Sequence, residues 1–217
     1  MPLLKFHRSV RCPVRAFTLI ELLVAVAIVG ILTTLLFTVG TLAREKGKSI
    51  TCLSNLRQMG VALRLYESDN KGRLPSSSHL RATDGTSLSW ISTLAAYLGP
   101  DFIGRCPAVP DHPAKVTYAL NDLLTDTSGE GMTLVSLRAP SATLAIGEIA
   151  IEQSSEHFHF AGAARGRVTA ALFKSFVNVE CHGSRANYLF VDAHVEPLAW
   201  TEVQRRLADA SSPFLKP

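Results

Sequence analysis

The sequence predicts an α+β fold, with one long N-terminal helix set against a small antiparallel sheet. Three observations carry this reading. Leu22 to Ala43 is an apolar run without a single charged residue. Ile50, Leu53, Leu56, Met59, Leu63 and Tyr66 then recur at steps of three or four, which marks one apolar face of a helix. From about Gly72 onward the chain breaks into short apolar stretches between clusters of Gly, Pro, Ser and Asp, the pattern of short strands and turns. A helical stem packed on such a sheet is the α+β layout.

The apolar run is long enough to cross a bilayer as a helix, at about 1.5 Å per residue. It follows a leader that carries Lys5, Arg8, Arg11 and Arg15 and no acid. Basic residues before a first membrane helix hold that end in the cytoplasm, which places the rest of the chain outside. A cleaved secretory signal has an apolar stretch of only about 7–15 residues before small residues at its cut. Here the stretch is longer, and Ala43-Arg44-Glu45-Lys46 offers no such cut. A plain anchor accounts for the length and the basic flank but leaves Glu21 unexplained. A carboxylate in hydrocarbon costs at least a few kcal/mol, so Glu21 is a functional candidate. The alternative is that Glu21, about one turn past Phe17, snorkels to the headgroups.

The division expected is a leader over 1–16, a membrane and assembly helix over 17–43, a helical stem over 44–71 and a globular head over 72–217. One helix from Phe17 to Asn70 would span roughly 80 Å. A break at Gly40 or Gly47 is the alternative, since an isolated Gly weakens a helix without ending it. Gly72 and Pro75 mark the stop. In the head, Thr117–Leu120, Thr133–Leu137 and Thr143–Ile149 read as strands. Asn187–Val191 and His194–Ala199 form a hairpin over 187–199 around Asp192-Ala193, a turn that needs positive φ, which Ala adopts only at a cost. Thr169–Val177 fits either a strand or a short helix. Trp200–Ala210 reads as a closing helix with Thr201 as its cap and Val203 and Leu207 on one face.

Charge excludes one class of function. The pI near 9.0 and net charge of +4 suggest nucleic acid at first sight. Four of the 22 basic residues lie in the leader and all 18 acids lie after it, so the remainder carries 22 − 4 = 18 basic residues against 18 acidic ones. No basic stripe is left to follow phosphates. The cysteines fit an oxidising compartment. Cys12 lies in the leader, and Cys52, Cys106 and Cys181 remain. A Cys52–Cys106 bond, tying the stem to the Cys106-Pro107 loop, is the expected pairing; spacing alone also allows other pairings or three reduced thiols.

His157, His159, His182 and His194, with Cys181, Asp192 and Glu196, include the donor types that zinc takes. No CxxC or HExxH spacing accompanies them, so no metal and no cofactor is assigned. His182 is instead expected to hydrogen-bond the Asp192 turn and fix the hairpin. Cys181, His182 and Asp192 also make a nominal catalytic set. Adjacent residues on a strand point to opposite faces, which separates Cys181 from His182 and argues against an enzyme.

Two resemblances sharpen this reading. Ala16-Phe17-Thr18-Leu19-Ile20-Glu21 behind a basic leader resembles the processing site of type IV prepilins and type II secretion pseudopilins. The resemblance implies a prepilin peptidase that cuts after Ala16 on the cytoplasmic side and methylates Phe17. It also implies assembly with other pilin or pseudopilin subunits, in which the new amine of one subunit meets Glu21 of its neighbour. Ala16 stands where that family prefers Gly. The second resemblance starts with Cys52-Leu53-Ser54-Asn55-Leu56-Arg57-Gln58-Met59-Gly60 and the Tyr66–Pro75 stretch. It continues through Cys106-Pro107-Ala108 and Tyr118-Ala119-Leu120-Asn121 to the tail from His182 to Val195. These are similar to pilin-like proteins of planctomycetes and verrucomicrobia that end in an "H-X9-DG" domain, with Ala193 where Gly is usual. The implied protein is a single-pass inner-membrane subunit with a periplasmic head. The rival is a permanently anchored periplasmic binding or sensor protein that never assembles.

Overall fold

A computed structural model describes residues 17–77, 89–100, 102, 104–125, 129–160 and 167–215. The leader, including Ala16, falls outside them. The chain divides into two units, 1–43 and 44–217. Helix α1, Leu19–Asp69, contributes to both and runs unbroken through Gly40 and Gly47. In the first unit its described side chains are exposed, and this stretch is long and apolar enough to cross a membrane. The helix ends as its sequence dictates. Lys71 and Gly72 take positive φ, and the Gly72 amide donates to the Glu67 carbonyl at 2.9 Å, satisfying a carbonyl of the last turn.

In the second unit the buried face of α1 is Cys52, Leu56, Met59 and Leu63, at steps of three and four. Leu56, Met59 and Leu63 are those expected, but Ile50 is exposed and Leu53 only half-buried, so the stripe departs from expectation at its first two positions, where Cys52 takes their place. Ile50 lies two residues before Cys52, about 200° round the helix, and so faces away from the head once Cys52 faces in. Among the described residues four strands form one antiparallel sheet in the order β1 (Tyr118–Leu120), β2 (Leu144–Glu148), β3 (Arg185–Phe190) and β4 (Val195–Ala199). Three short helices lie among the described residues of the head: α2 (Trp90–Leu94), α3 (Ala170–Phe176) and α4 (Trp200–Ala208).

The inner strands alternate between two cores. Tyr118, Leu120, Ile146 and Leu189 pack with Cys52, Leu56, Met59 and Leu63 of α1. Ala119, Leu144, Ala186, Tyr188 and Phe190 face the other way, onto Phe158, Phe160, Phe173, Val203 and Phe214. With both faces covered, β1 and β2 are buried at every position. The sheet is the middle of three layers.

Two local expectations are corrected and one open alternative is settled. Thr133–Leu137 is not a strand, because Leu134–Ser136 forms a 3-10 turn. Thr169–Val177 resolves as helix α3, with the Thr169 side chain accepting from the Leu172 amide. Thr201 does not cap α4, since that helix starts at Trp200 directly after β4 and Thr201 is already within its first turn. The hairpin turn is one residue longer than expected, Val191-Asp192-Ala193: the Phe190 amide donates to the His194 carbonyl and the Ala193 amide to the Phe190 carbonyl, both at 2.9 Å, and Ala193 takes φ 74°. There it touches α1: a Cβ on Gly60 would lie 3.0 Å from Leu189 Cδ1 and 3.1 Å from the Ala193 carbonyl oxygen.

Candidate functional site

Two places carry chemistry, one in each unit. The first is the start of α1. Leu19 opens the helix, so Thr18 is the residue before it, and both Thr18 groups turn to Glu21. The Thr18 amide donates to Glu21 Oε2 at 2.9 Å and its hydroxyl donates to the same oxygen at 2.7 Å. The Glu21 amide donates back to Thr18 Oγ1 at 3.3 Å. This is a reciprocal capping box, written in the sequence as Thr-x-x-Glu. That signal was legible in the residues, although the family motif drew attention to Glu21 alone. Further along, the Thr33 and Thr34 hydroxyls donate to the Val29 and Ile31 carbonyls at 2.8 and 2.7 Å, which leaves neither hydroxyl bare in the apolar run. Phe17, the expected new terminus, is exposed.

The second place is a buried cluster between α1 and the sheet. Cys52 of α1 and Cys106 of the following loop form a disulfide, and Cys181 is free. The Cys106 amide donates to Thr117 Oγ1 at 2.7 Å, which holds that loop against the start of β1. Beside the disulfide, His182 Nε2 lies 2.9 Å from Glu148 Oε1 and 3.8 Å from Cys106 Sγ. Glu148 is 1% exposed, at the end of β2 opposite Tyr118. Among the described residues its Oε2 and the Tyr188 hydroxyl are buried without a hydrogen-bond partner. The Tyr118 hydroxyl accepts from Asn55 Nδ2 at 3.3 Å. Burial first, and the nearby Glu148 second, push Tyr118, Tyr188 and Cys181 above their usual pKa values.

The expected role of His182 is therefore corrected. It does not hold the Asp192 turn; it meets Glu148, a residue that the sequence did not single out. The Asp192 turn is held by its neighbour, since the His194 amide donates to Asp192 Oδ1 at 3.1 Å and His194 Nδ1 lies 2.5 Å from the same oxygen. Nor does strand geometry separate Cys181 from His182. Both lie in the turn before β3, and both side chains reach Cys106. The other histidines go elsewhere: His157 and His159 pack ring on ring at 4.6 Å. Among the described residues the one metal-type group is Cys52, Cys106, Glu148 and His182, with donor atoms within 4.8 Å of one another. While the two sulfurs are bonded to each other, they are not thiolate ligands.

Residues 11–37 match the family model described as a prokaryotic N-terminal methylation motif. The chain is pilin-like at its N-terminus. Residues 41–101 of this pilin-like chain match a second model, described as a protein of unknown function, DUF1559. The first match covers the capping box and the apolar run as far as residue 37, and the second covers the stem with Cys52. No curated protein matches the chain, and no solved structure does.

Proposed function

We propose that this chain is a pilin or pseudopilin subunit, processed by a prepilin peptidase after Ala16 and methylated at Phe17. It then assembles through α1 into a filament of the type IV pilus or type II secretion kind. Before assembly it is a single-pass inner-membrane protein with a cytoplasmic leader and a periplasmic head. Its role is structural rather than enzymatic. The observation that supports this reading is the match to the methylation motif over residues 11–37, a stretch that contains Phe17 and Glu21 behind the basic leader. Cutting after Ala16 would create a basic amine four residues before Glu21. Stacked helices would bring the amine of one copy to Glu21 of the next, pairing two charges that are costly alone in a low-dielectric setting. Ala25, Ala27 and Gly30 leave room for close helix approach.

The capping box favours a second reading, the permanent anchor. Thr18 satisfies Glu21 Oε2 within one chain, so Glu21 has partners without a neighbour. The two readings part at the N-terminus. Mass spectrometry of native protein should find a methylated Phe17 start; an intact Met1 on all of the material favours the anchor. Glu21→Val should insert into the membrane normally and be lost from sheared filaments. Normal incorporation of that variant would remove Glu21 from the assembly mechanism.

A further inference from the structure

The buried cluster holds a third thiol that an assembly role does not use. Cys181 Sγ stands 3.9 Å from Cys106 Sγ, one of the two sulfurs of the disulfide. Two sulfurs that close are at contact distance, and a thiolate attacking a disulfide sulfur is the elementary step of exchange. On the same side of Cys106 lie His182 Nε2, at 3.8 Å, and Glu148 bonded to it. These are two groups able to carry a proton inside an otherwise apolar core.

We propose that Cys181 and the Cys52–Cys106 disulfide form an internal thiol–disulfide exchange site, in which Cys181 displaces Cys52 from Cys106. Cys181 gives up its thiol proton to the Glu148–His182 pair, and its sulfur bonds to Cys106 Sγ. The Cys106–Cys52 bond breaks, its electron pair stays on Cys52 Sγ, and that sulfur takes up the proton. One thiol and one disulfide become one thiol and one disulfide, so no oxidant, reductant or metal is consumed. Burial and the adjacent Glu148 raise the Cys181 thiol above its usual pKa. The resting site therefore keeps little thiolate, and exchange is slow. The swap moves the crosslink off α1 and into the head, from Cys52 to the turn before β3. It is independent of whether the chain assembles. The rival for this cluster is a metal held by Cys52, Cys106, Glu148 and His182, which requires both bonded sulfurs as thiolates.

The test uses the full chain in detergent micelles at about pH 8 without reductant, where an ordinary thiol is partly ionised. Samples are trapped over time with N-ethylmaleimide, digested without reduction and mapped by mass spectrometry. The expected result is a Cys52–Cys106 majority with alkylated Cys181, and a minority, growing with time, of Cys106–Cys181 with alkylated Cys52. In Cys52→Ser exposed to oxidised glutathione, Cys106 and Cys181 should join to each other. Three results overturn the proposal. One is wild-type protein in which Cys52 is never alkylated. Another is Cys52–Cys181 appearing as fast as Cys106–Cys181, which is random scrambling. The third is a bound zinc ion with Cys52 and Cys106 unbonded to each other and both shielded from alkylation.

Discussion

Glu148 and His182 occupy a position that neither could hold alone. The Glu148 carboxyl is 1% exposed, with His182 Nε2 on its Oε1 and the Cys181 thiol beside it. Removing His182 takes from a buried carboxyl its ionisable partner, which typically costs about 3–5 kcal/mol. His182→Ala should therefore lower the urea midpoint steeply, while His182→Gln, which can still donate, should lose less. Equal losses in the two variants would show that the contact carries little of the stability. Why was Glu148 not visible in the sequence? It sits in Leu144–Glu148 as an acid at a strand end, the usual place for an exposed residue. Its burial depends on a histidine 34 positions away, which no local pattern reports. His182 was singled out, but its partner was sought across the hairpin rather than across the sheet. The capping box shows the opposite case, a local signal of four residues fully readable in the chain.

The elements that repeat a period over many residues were legible, and those fixed by one contact were not. Helix α1 declares itself over Leu19–Asp69 by its apolar run and its three-four spacing. Strands β3 and β4 declare themselves by strand-forming residues on either side of a short turn, whose third residue, Val191, was read as strand. The α1 stripe was legible from Leu56 through Met59 and Leu63, and only its start was misread, because Ile50 and Leu53 look as apolar as Cys52. The 3-10 turn at Leu134–Ser136 carries strand-forming residues that meet no ladder. The hairpin turn offers a test at this scale. Ala193 sits at φ 74°, a conformation that costs a side chain about 1–2 kcal/mol. Ala193→Gly should stabilise the head by about 1 kcal/mol once the greater freedom of unfolded Gly is offset. Gly60→Ala, which pushes a methyl against Leu189 and the Ala193 carbonyl, should destabilise it by about 1–3 kcal/mol. Thermal melts of the two variants should move in opposite directions.

At the scale of the whole molecule, the buried acids set its limit in base. Cys181, Tyr118 and Tyr188 all titrate above their usual 9.0, 10.0 and 10.0 when folded, chiefly through burial. The folded chain keeps protons that the unfolded chain releases. Their contribution is thus fully present below the ordinary thiol and phenol pKa values and is lost as pH rises past them. Urea midpoints should hold level from neutral pH to about pH 8 and fall at higher pH. Tyr188→Phe deletes a hydroxyl without a partner, so it should leave neutral stability intact and flatten that fall. An unchanged slope would move the alkaline sensitivity to another group.

The position of the disulfide matters for load. Cys52 precedes Leu56, Met59 and Leu63 along α1, counting from the N-terminal end. A pull along the helix from that end meets the covalent bond before it meets those side chains. Tension is then passed to the Cys106 loop as traction on a covalent link, and the apolar seam behind it is spared from peeling.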